Sequence, residues 1–427
     1  MTSDANLVVN TLAIILFGGI FAGKWAERHG LPKMIPMIIF GMILAILDSS
    51  TLVDFTNEST QEIGLVITEL ALVIILYNEG MHLNLNQLKK YFKIIIILAV
   101  FGTIITVLLV SLILTTITQI ALDREIVGLG LLLVAAIVAP TDPAATFSAL
   151  KRSGLNVKKK FEVILGGESA FNDVMAILLV IILFLPQVAD GNTSINLEIG
   201  VLFALFRQIF GGLLLAIVVA VSTLFLTTKV HTDTEYYYVS IVAVLQIFIL
   251  APIFEVSAAL AALTAGVLIK NPDLINMKKD YNERSMIQFW GNLIFSIEIL
   301  AFVTLGILFN TEDFRKYAAL GILFSVVVII SRIISVYVAT YPLQFMSSEK
   351  TPLSIKERFF VASAGFKGIT TGVLALLAYI RLVPIDRRLA EVILYGSLNL
   401  ILISAIIQGL FLPLITRKTG VMDVMKT

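Results

Sequence analysis

Long apolar runs separated by short polar breaks fill the chain from one end to the other. A run of about 20 apolar residues forms a helix long enough to cross the hydrocarbon core of a bilayer. The pattern therefore predicts an all-α integral membrane protein of about thirteen spans, of which the second is short and the eighth and ninth nearly touch. The predicted spans are residues 7–23, 34–47, 62–81, 94–117, 127–150, 161–185, 199–227, 236–252, 255–270, 285–309, 317–341, 359–380 and 390–413.

Composition agrees with a membrane protein and excludes several kinds of chemistry. Of the 427 residues, 58% are hydrophobic and 14% charged, and the mean hydropathy of +0.97 lies outside the range of soluble domains. The chain has no cysteine, which rules out disulfides and iron–sulfur sites, and its three histidines lie in predicted loops. The positions of the histidines argue against a histidine zinc site in the membrane and against a serine–histidine protease. We expect no enzymatic activity, no cofactor and no nucleic-acid partner. The partner that composition predicts is the lipid bilayer.

The loops indicate how the chain is oriented and how many domains it has. Most of the 31 Lys and Arg residues fall in one set of alternate loops. Because loops rich in Lys and Arg stay in the cytoplasm, this asymmetry predicts an external N-terminus and a cytoplasmic C-terminus in the cell membrane. No linker or low-complexity stretch interrupts the apolar pattern, so we treat residues 1–427 as a single polytopic membrane domain.

The sixth span contains the polar residues that most need an explanation. Glu168, Ser169, Asn172 and Asp173 occupy two neighbouring faces of one helix, and Asp173 falls at the middle of the span. A charged group at the centre of a bilayer costs roughly 2.5–3.5 kcal/mol on insertion scales, and such residues usually mark an ion or proton path. The alternative, a polar patch that holds helices together, rarely needs two carboxylates.

Two other spans carry signals for a broken helix at membrane depth. In span five, Pro140 and Pro143 bracket Thr141 and Asp142, and each proline removes a backbone donor and disfavours helix before it. In span twelve, glycines flank a lysine in the run 365–368. Interrupted helices at corresponding positions predict two inverted six-helix repeats, approximately 7–185 and 236–413, joined by a linking helix at 199–227.

The remaining buried charges need partners. Arg332 lies in the middle of span eleven, and Glu168 is the partner we predict for it, because an unpaired buried guanidinium is prohibitive. Glu298 is expected to pair with Lys367. Glu79, near the cytoplasmic end of span three, either lines the access funnel or reaches water. The sequence gives no role for two further charges inside spans, Glu69 and Arg207.

Together these motifs resemble the sodium/proton exchanger family of the monovalent cation/proton antiporter superfamily, and in particular its prokaryotic NhaP-like members. The matching positions are Thr141-Asp142-Pro143, Gly167-Glu168-Ser169 with Asn172-Asp173, Glu298, Ser331-Arg332 and Gly365-Phe366-Lys367-Gly368. The resemblance implies a homodimer in which a six-helix core moves against a dimer domain. It also implies that Asp173 carries the ion, helped by Asp142, Thr141 and Ser169. Animal members have a long regulatory tail; about a dozen residues follow the last span here, so we expect no regulatory-tail partners.

The expected mechanism is competition for one carboxylate. Asp173 holds either a proton or a cation such as Na⁺ or Li⁺, whose other ligands are Ser169 and the Thr141 carbonyl freed by the broken helix. Asn172 cannot ionise and Asp142 is expected to stay charged at a helix N-terminus, so exchange should be one to one and electroneutral. The alternatives are a K⁺/H⁺ antiporter, a cation channel and, more remotely, an intramembrane aspartyl protease using Asp142 and Asp173.

Overall fold

The computed structural model describes residues 2–29, 31–47, 58–121, 128–192, 195, 199–275, 277, 282–308, 311–344 and 353–422. These residues are helical throughout, apart from turns, loops and one isolated antiparallel bridge between Val157 and Met422. The α-helices are α1 Thr2–His29, α2 Met34–Leu47, α3 Glu58–His82, α4 Leu85–Ile96, α5 Thr103–Ala121, α6 Leu129–Ile137, α7 Pro143–Arg152, α8 Lys159–Ile177, α9 Leu185–Ala189, α10 Ile199–Thr227, α11 Asp233–Ile253, α12 Ala258–Lys270, α13 Glu283–Ile307, α14 Thr311–Thr340, α15 Ile355–Ser363, α16 Ile369–Leu382 and α17 Arg387–Thr419.

Each predicted span corresponds to a helical segment of the structure. Among the described residues, nine helices are long and apolar enough to cross a membrane, and Met34–Leu47, Ala258–Lys270 and Ile369–Leu382 are shorter apolar helices. Two of the long segments are joined through π-helical turns, Ile97–Gly102 between α4 and α5 and Leu178–Phe184 between α8 and α9. The prediction of an all-α membrane fold is therefore confirmed.

The helices sort into two groups by their contacts. We call α1–α3 with α10–α13 the scaffold bundle, because α2 packs on α13, α3 on α12, and α10 on α11 and α12. We call α4–α9 with α14–α17 the core bundle, because α14 packs on α5 and α17, α4 on α8, and α16 on α17. The bundles meet mainly where α3 and α13 pack against α16 and where α3 and α12 touch α8.

Two close helix crossings in the scaffold bundle are related by exchange of the two halves of the chain. Gly41 on α2 lies against Gly306 on α13, and Gly80 on α3 lies against Gly266 on α12. A Cβ atom on any of these four glycines would overlap backbone atoms of the facing helix. The second and third helices of one predicted repeat thus pack on the third and second of the other, as inverted repeats would.

The two predicted helix breaks are both present, and they cross. Helix α6 ends at Ile137 and α7 begins at Pro143, whose missing N–H costs nothing at the first position of a helix. Helix α15 ends at Ser363 and α16 begins at Ile369, leaving residues 364–368 outside any helix. Position 368 at the crossing requires glycine, because a Cβ atom there would overlap the Asp142 carboxylate.

Candidate cation site

Each break supplies hydrogen-bond partners for the backbone of the other. The Asp142 N–H donates to the Phe366 carbonyl at 2.8 Å. In return, Lys367 Nζ donates to the carbonyls of Ala139 at 3.0 Å and Pro140 at 2.8 Å. Unpaired backbone groups are tolerated at membrane depth only against protein or water, so these contacts stabilise the crossing.

The contacts of Lys367 contradict one prediction made from the sequence. The expected ion pair between Glu298 and Lys367 is wrong, because the ammonium group points to the carbonyls of Ala139 and Pro140, just beyond the end of α6. The partial negative charge of the nearby helix C-terminus also attracts a cation. Glu298 instead lines a cavity together with Asp142.

Glu168 is held by partners on both carboxylate oxygens. Arg332 Nη2 lies 2.9 Å from Glu168 Oε2, and the two side chains are 5% and 1% exposed, so the predicted ion pair is confirmed. The other oxygen of Glu168 accepts from Asn172 Nδ2 at 2.8 Å, and the same amide also donates to Thr141 Oγ1 at 2.9 Å. The amide of Asn172 thus connects the ion pair to the first helix break.

Asp173 has a different environment although it lies on the same helix. Its Oδ2 accepts from Thr370 Oγ1 at 2.5 Å, whereas its Oδ1 accepts no hydrogen bond from the described residues. The predicted co-ligands are close together, since Ser169 Oγ donates to the Thr141 carbonyl at 2.6 Å. That carbonyl retains a second lone pair, so the hydrogen bond does not exclude it as a cation ligand.

A cavity of about 440 Å³ brings the acidic side chains together. Its lining includes Asp173, Asp142, Glu79 and Glu298. Oε2 of Glu79 also lacks a donor among the described residues, and the carboxyl groups of Glu79 and Asp173 are near enough for their charges to interact. Two neighbouring carboxyl groups repel when both are ionised, so a proton or a cation between them is strongly favoured.

The same cavity extends to one end of the bundle. It reaches a ring of polar residues, namely His82, Asn84, Gln87, Lys159 and Glu162, at the end of α3 and the start of α4 and α8. By the distribution of basic loops this is the end predicted to face the cytoplasm. Glu79 therefore lines the funnel, which was one of the two roles that its position allowed.

Sequence reasoning missed Thr370, which touches Asp173 directly. A signal for it was present. Thr370 and Thr371 follow the Gly-x-Lys-Gly run after one intervening residue, so they lie on the first turn of the half-helix that the break exposes. The positive end of such a half-helix attracts a buried carboxylate, so residues of its first turn are candidates to contact one.

The two charges without a predicted role have partners at the opposite end of the bundle. Glu69 on α3 forms an ion pair with Arg381 on α16 at 2.6 Å. Arg207 on α10 pairs with Glu255, which follows α11. Both pairs are more exposed than the Glu168–Arg332 pair.

Crossed discontinuous helices with a buried carboxylate beside them, inside an all-helical membrane fold, define a secondary transporter. Residues 12–418 match the family model described as sodium/hydrogen exchanger, transmembrane, and the chain belongs to that family. The resemblance recognised in the sequence is therefore confirmed.

Individual relatives span almost the whole chain. The chain is 25% identical over 413 residues to the K⁺/H⁺ antiporter NhaP of Alkalimonas amylolytica, covering 95% of this chain but 65% of that protein. It is 26% identical over 386 residues to "Probable Na(+)/H(+) antiporter 2" of Methanocaldococcus jannaschii, covering 87% and 85%. The solved structure of the sodium proton antiporter MjNhaP1 from M. jannaschii at pH 8 superposes with a TM-score of 0.82 at 19% identity, covering 97% of this chain and 99% of that one.

Proposed function

We propose that the protein is a secondary antiporter that exchanges Na⁺ or Li⁺ for H⁺ across the cell membrane. One observation carries the proposal: Asp173 is buried, accepts a hydrogen bond on one oxygen and none from the described residues on the other, and lines a cavity that reaches one end of the bundle. A buried carboxylate of this kind binds a proton or a monovalent cation, and binding of one displaces the other.

The cation would be held by oxygen atoms of the core bundle and one of the scaffold. Asp173 Oδ1, the Ser169 hydroxyl and the Thr141 carbonyl are the ligands on the core side. Glu79 lies on α3 and adds a carboxylate from the scaffold bundle. Because the ligands are divided between the bundles, movement of the core against the scaffold would alter the site, which suits alternating access. No cofactor and no enzymatic activity are needed for this cycle.

The environments of Asn172 and Asp142 support one-to-one exchange. The amide of Asn172 is engaged by Glu168 and Thr141 and cannot ionise. Asp142 is the N-cap of α7, where its Oδ1 accepts from the Ala145 N–H at 3.0 Å and lies at the positive end of the helix. We infer that Asp142 stays ionised as a fixed counter-charge, and that only Asp173 loads and unloads. Transport would then be electroneutral.

The oligomeric state and the orientation in the membrane are inferred from the sequence. We infer a homodimer in the lipid bilayer, with the N-terminus outside and the C-terminus in the cytoplasm. In that orientation the cavity at Asp173 faces inward.

A K⁺/H⁺ antiporter is the second candidate, because relatives of comparable similarity carry both names. A cation channel and an intramembrane protease fit less well. A channel needs an open pore, and a protease needs two carboxylates that share a water, whereas Asp142 is committed to a helix cap.

The test is proton flux in proteoliposomes against a panel of NaCl, LiCl, KCl and choline chloride. The proposal predicts that NaCl or LiCl dissipates a preset pH gradient and that choline does not. Flux with KCl alone would establish the second candidate, and flux with none of the salts would contradict antiport. Vesicles carrying the Asp173→Asn variant are the control for leak.

A further inference from the structure

The end of the bundle opposite to the Asp173 cavity has a cavity of its own. Its volume is about 670 Å³, and it lies between the two bundles. Ile177, Ile181 and Pro186 line it from the core side, and Gln208 and Glu255 line it from the scaffold side. In the proposed orientation this end faces the outside of the cell.

Only a thin layer of protein separates this external cavity from the Asp173 cavity. On α8, the Asp173 cavity includes Asp173 and the external cavity includes Ile177, one turn further on. On α3, the external cavity ends at Val73 and the Asp173 cavity begins at Ile75. One helical turn rises only about 5.4 Å. The two cavities therefore approach the same carboxylate from opposite sides.

One ion pair in the external cavity connects the two bundles. Glu69 belongs to scaffold helix α3 and Arg381 to core helix α16, the half-helix that also carries Thr370. The side chains remain 34% and 44% exposed, so water competes for both charges and the pair can open at modest cost. A second pair beside it, Arg207–Glu255, joins two elements of the scaffold alone.

We propose that the external cavity is the outward entrance of the transport pathway and that the Glu69–Arg381 pair is the gate that holds it closed. This inference rests on the proposed antiport function. When the core moves to present Asp173 outward, α16 moves away from α3 and the pair separates. Glu69 then stands unpaired at the entrance, where its carboxylate attracts cations. The Arg207–Glu255 pair stays closed throughout the cycle, because both partners move together.

Cross-linking tests the gate. Because the chain has no native cysteine, only the introduced thiols can react with the reagent. The gate variant is Glu69→Cys with Arg381→Cys, and the matched control is Arg207→Cys with Glu255→Cys. Both are joined with a short bis-methanethiosulfonate reagent that dithiothreitol cleaves. We expect cross-linking of the gate variant to reduce exchange to the level of protein-free vesicles, with recovery after dithiothreitol. We expect the control to continue exchanging while cross-linked. Undiminished exchange in the cross-linked gate variant would overturn the proposal.

A second measurement does not depend on transport or on cross-linking. Ile177→Cys places a reporter thiol at the bottom of the external cavity, where the native side chain is 4% exposed. A membrane-impermeant thiol reagent is added outside right-side-out vesicles. Adding Glu69→Gln should speed labelling several-fold, and adding Glu255→Gln should not. Equal labelling rates in the two backgrounds would refute the gate. Failure of antiport itself would appear separately, as absence of exchange in the native protein.

Discussion

Glu168 and Asp173 lie on the same helix and are both 1% exposed, yet they have opposite kinds of partner. Glu168 has a guanidinium on one oxygen and an amide on the other. Asp173 has a single hydroxyl on one oxygen and no donor among the described residues on the other. The first arrangement fixes a charge permanently, because removing any partner leaves a buried ion exposed to a low dielectric. The second leaves room for an exchangeable ion.

If Asp173 is the transporting carboxylate, as proposed, the difference means that depth in the membrane does not identify it. Both residues cost free energy to bury. What separates them is whether the protein itself satisfies every oxygen. In the proposed mechanism Glu168, whose partners are all supplied by the protein, is a structural element, and Asp173, which lines a cavity and has one oxygen without a donor among the described residues, is the binding group. The following variants can break or sharpen this contrast.

The largest effect is expected from Asp173→Asn. The amide keeps the shape of the side chain and a hydrogen-bond acceptor for Thr370, so the protein should fold and melt close to the native temperature. It cannot ionise, so Na⁺-driven proton flux in proteoliposomes should fall to background. Flux close to that of the native protein in this variant would mean that another acid carries the ion.

The next largest effect is on folding, not transport. Arg332→Ala and Glu168→Ala should each lower the free energy of unfolding by roughly 3–5 kcal/mol, because each leaves the other charge buried and unpaired. The double variant should lose less than the sum of the two. Thermal melts in detergent measure this double-mutant cycle. Strict additivity would show that the two residues are not energetic partners.

A smaller effect is expected from the hydroxyl that anchors Asp173. A hydrogen bond to a charged group contributes about 1.5–3 kcal/mol, so Thr370→Val should weaken apparent Na⁺ affinity by at least about tenfold. Thr371→Val is the matched comparison, because the Thr371 hydroxyl lines the same cavity without a partner among the described residues. Initial rates against NaCl concentration measure both. An equal or larger loss of apparent Na⁺ affinity in Thr371→Val would show that Thr370 is not the residue that anchors Asp173.

The smallest effect is expected from a paired carboxylate near the surface. Glu357 lies 2.9 Å from Lys160 and closes the capping box of α15. Burial would raise the pKa of Glu357, but hydrogen bonds from the Ser354 N–H and Lys160 outweigh it and hold that pKa below its usual value. Glu357→Gln keeps the cap and removes the ion pair, so it should lower the free energy of unfolding by at most about 1 kcal/mol.

The pH dependence of that cost checks its origin. A carboxyl whose pKa is lowered by folding stabilises the protein above its unfolded pKa of about 4.3. The stabilisation disappears as the pH falls through the lower, folded value. The difference in melting temperature between the native protein and Glu357→Gln should therefore shrink below about pH 4. A difference that grows on acidification would assign the stabilisation to another group.

Much of the fold and part of the site were predictable from the sequence. Pro140 and Pro143 at membrane depth leave few possibilities besides a broken helix, and the apolar runs set the span count. The Glu168–Arg332 pair was predictable because a buried guanidinium requires a carboxylate. Lys367 was assigned the wrong partner because its acceptors are backbone carbonyls, which carry no side-chain signal.

The contacts that could not be predicted join residues far apart in the chain. Glu69 and Arg381 are 312 positions apart, and nothing in either local sequence indicates the other. The Thr370 hydroxyl reaches Asp173, whereas that of its neighbour Thr371 has no partner among the described residues, and this difference depends on where α16 lies relative to α8. Such contacts follow from three-dimensional packing of the bundles, and pattern reasoning on one sequence does not reach them.

The central claim is that a cation and a proton compete for Asp173. Calorimetric titration of the purified protein with NaCl, in two buffers of different ionisation enthalpy, measures how many protons leave for each sodium bound. At a pH where the site starts protonated, the account predicts release of about one proton per sodium, and no heat of binding in Asp173→Asn. Sodium binding without proton release, or unchanged binding in Asp173→Asn, would contradict it.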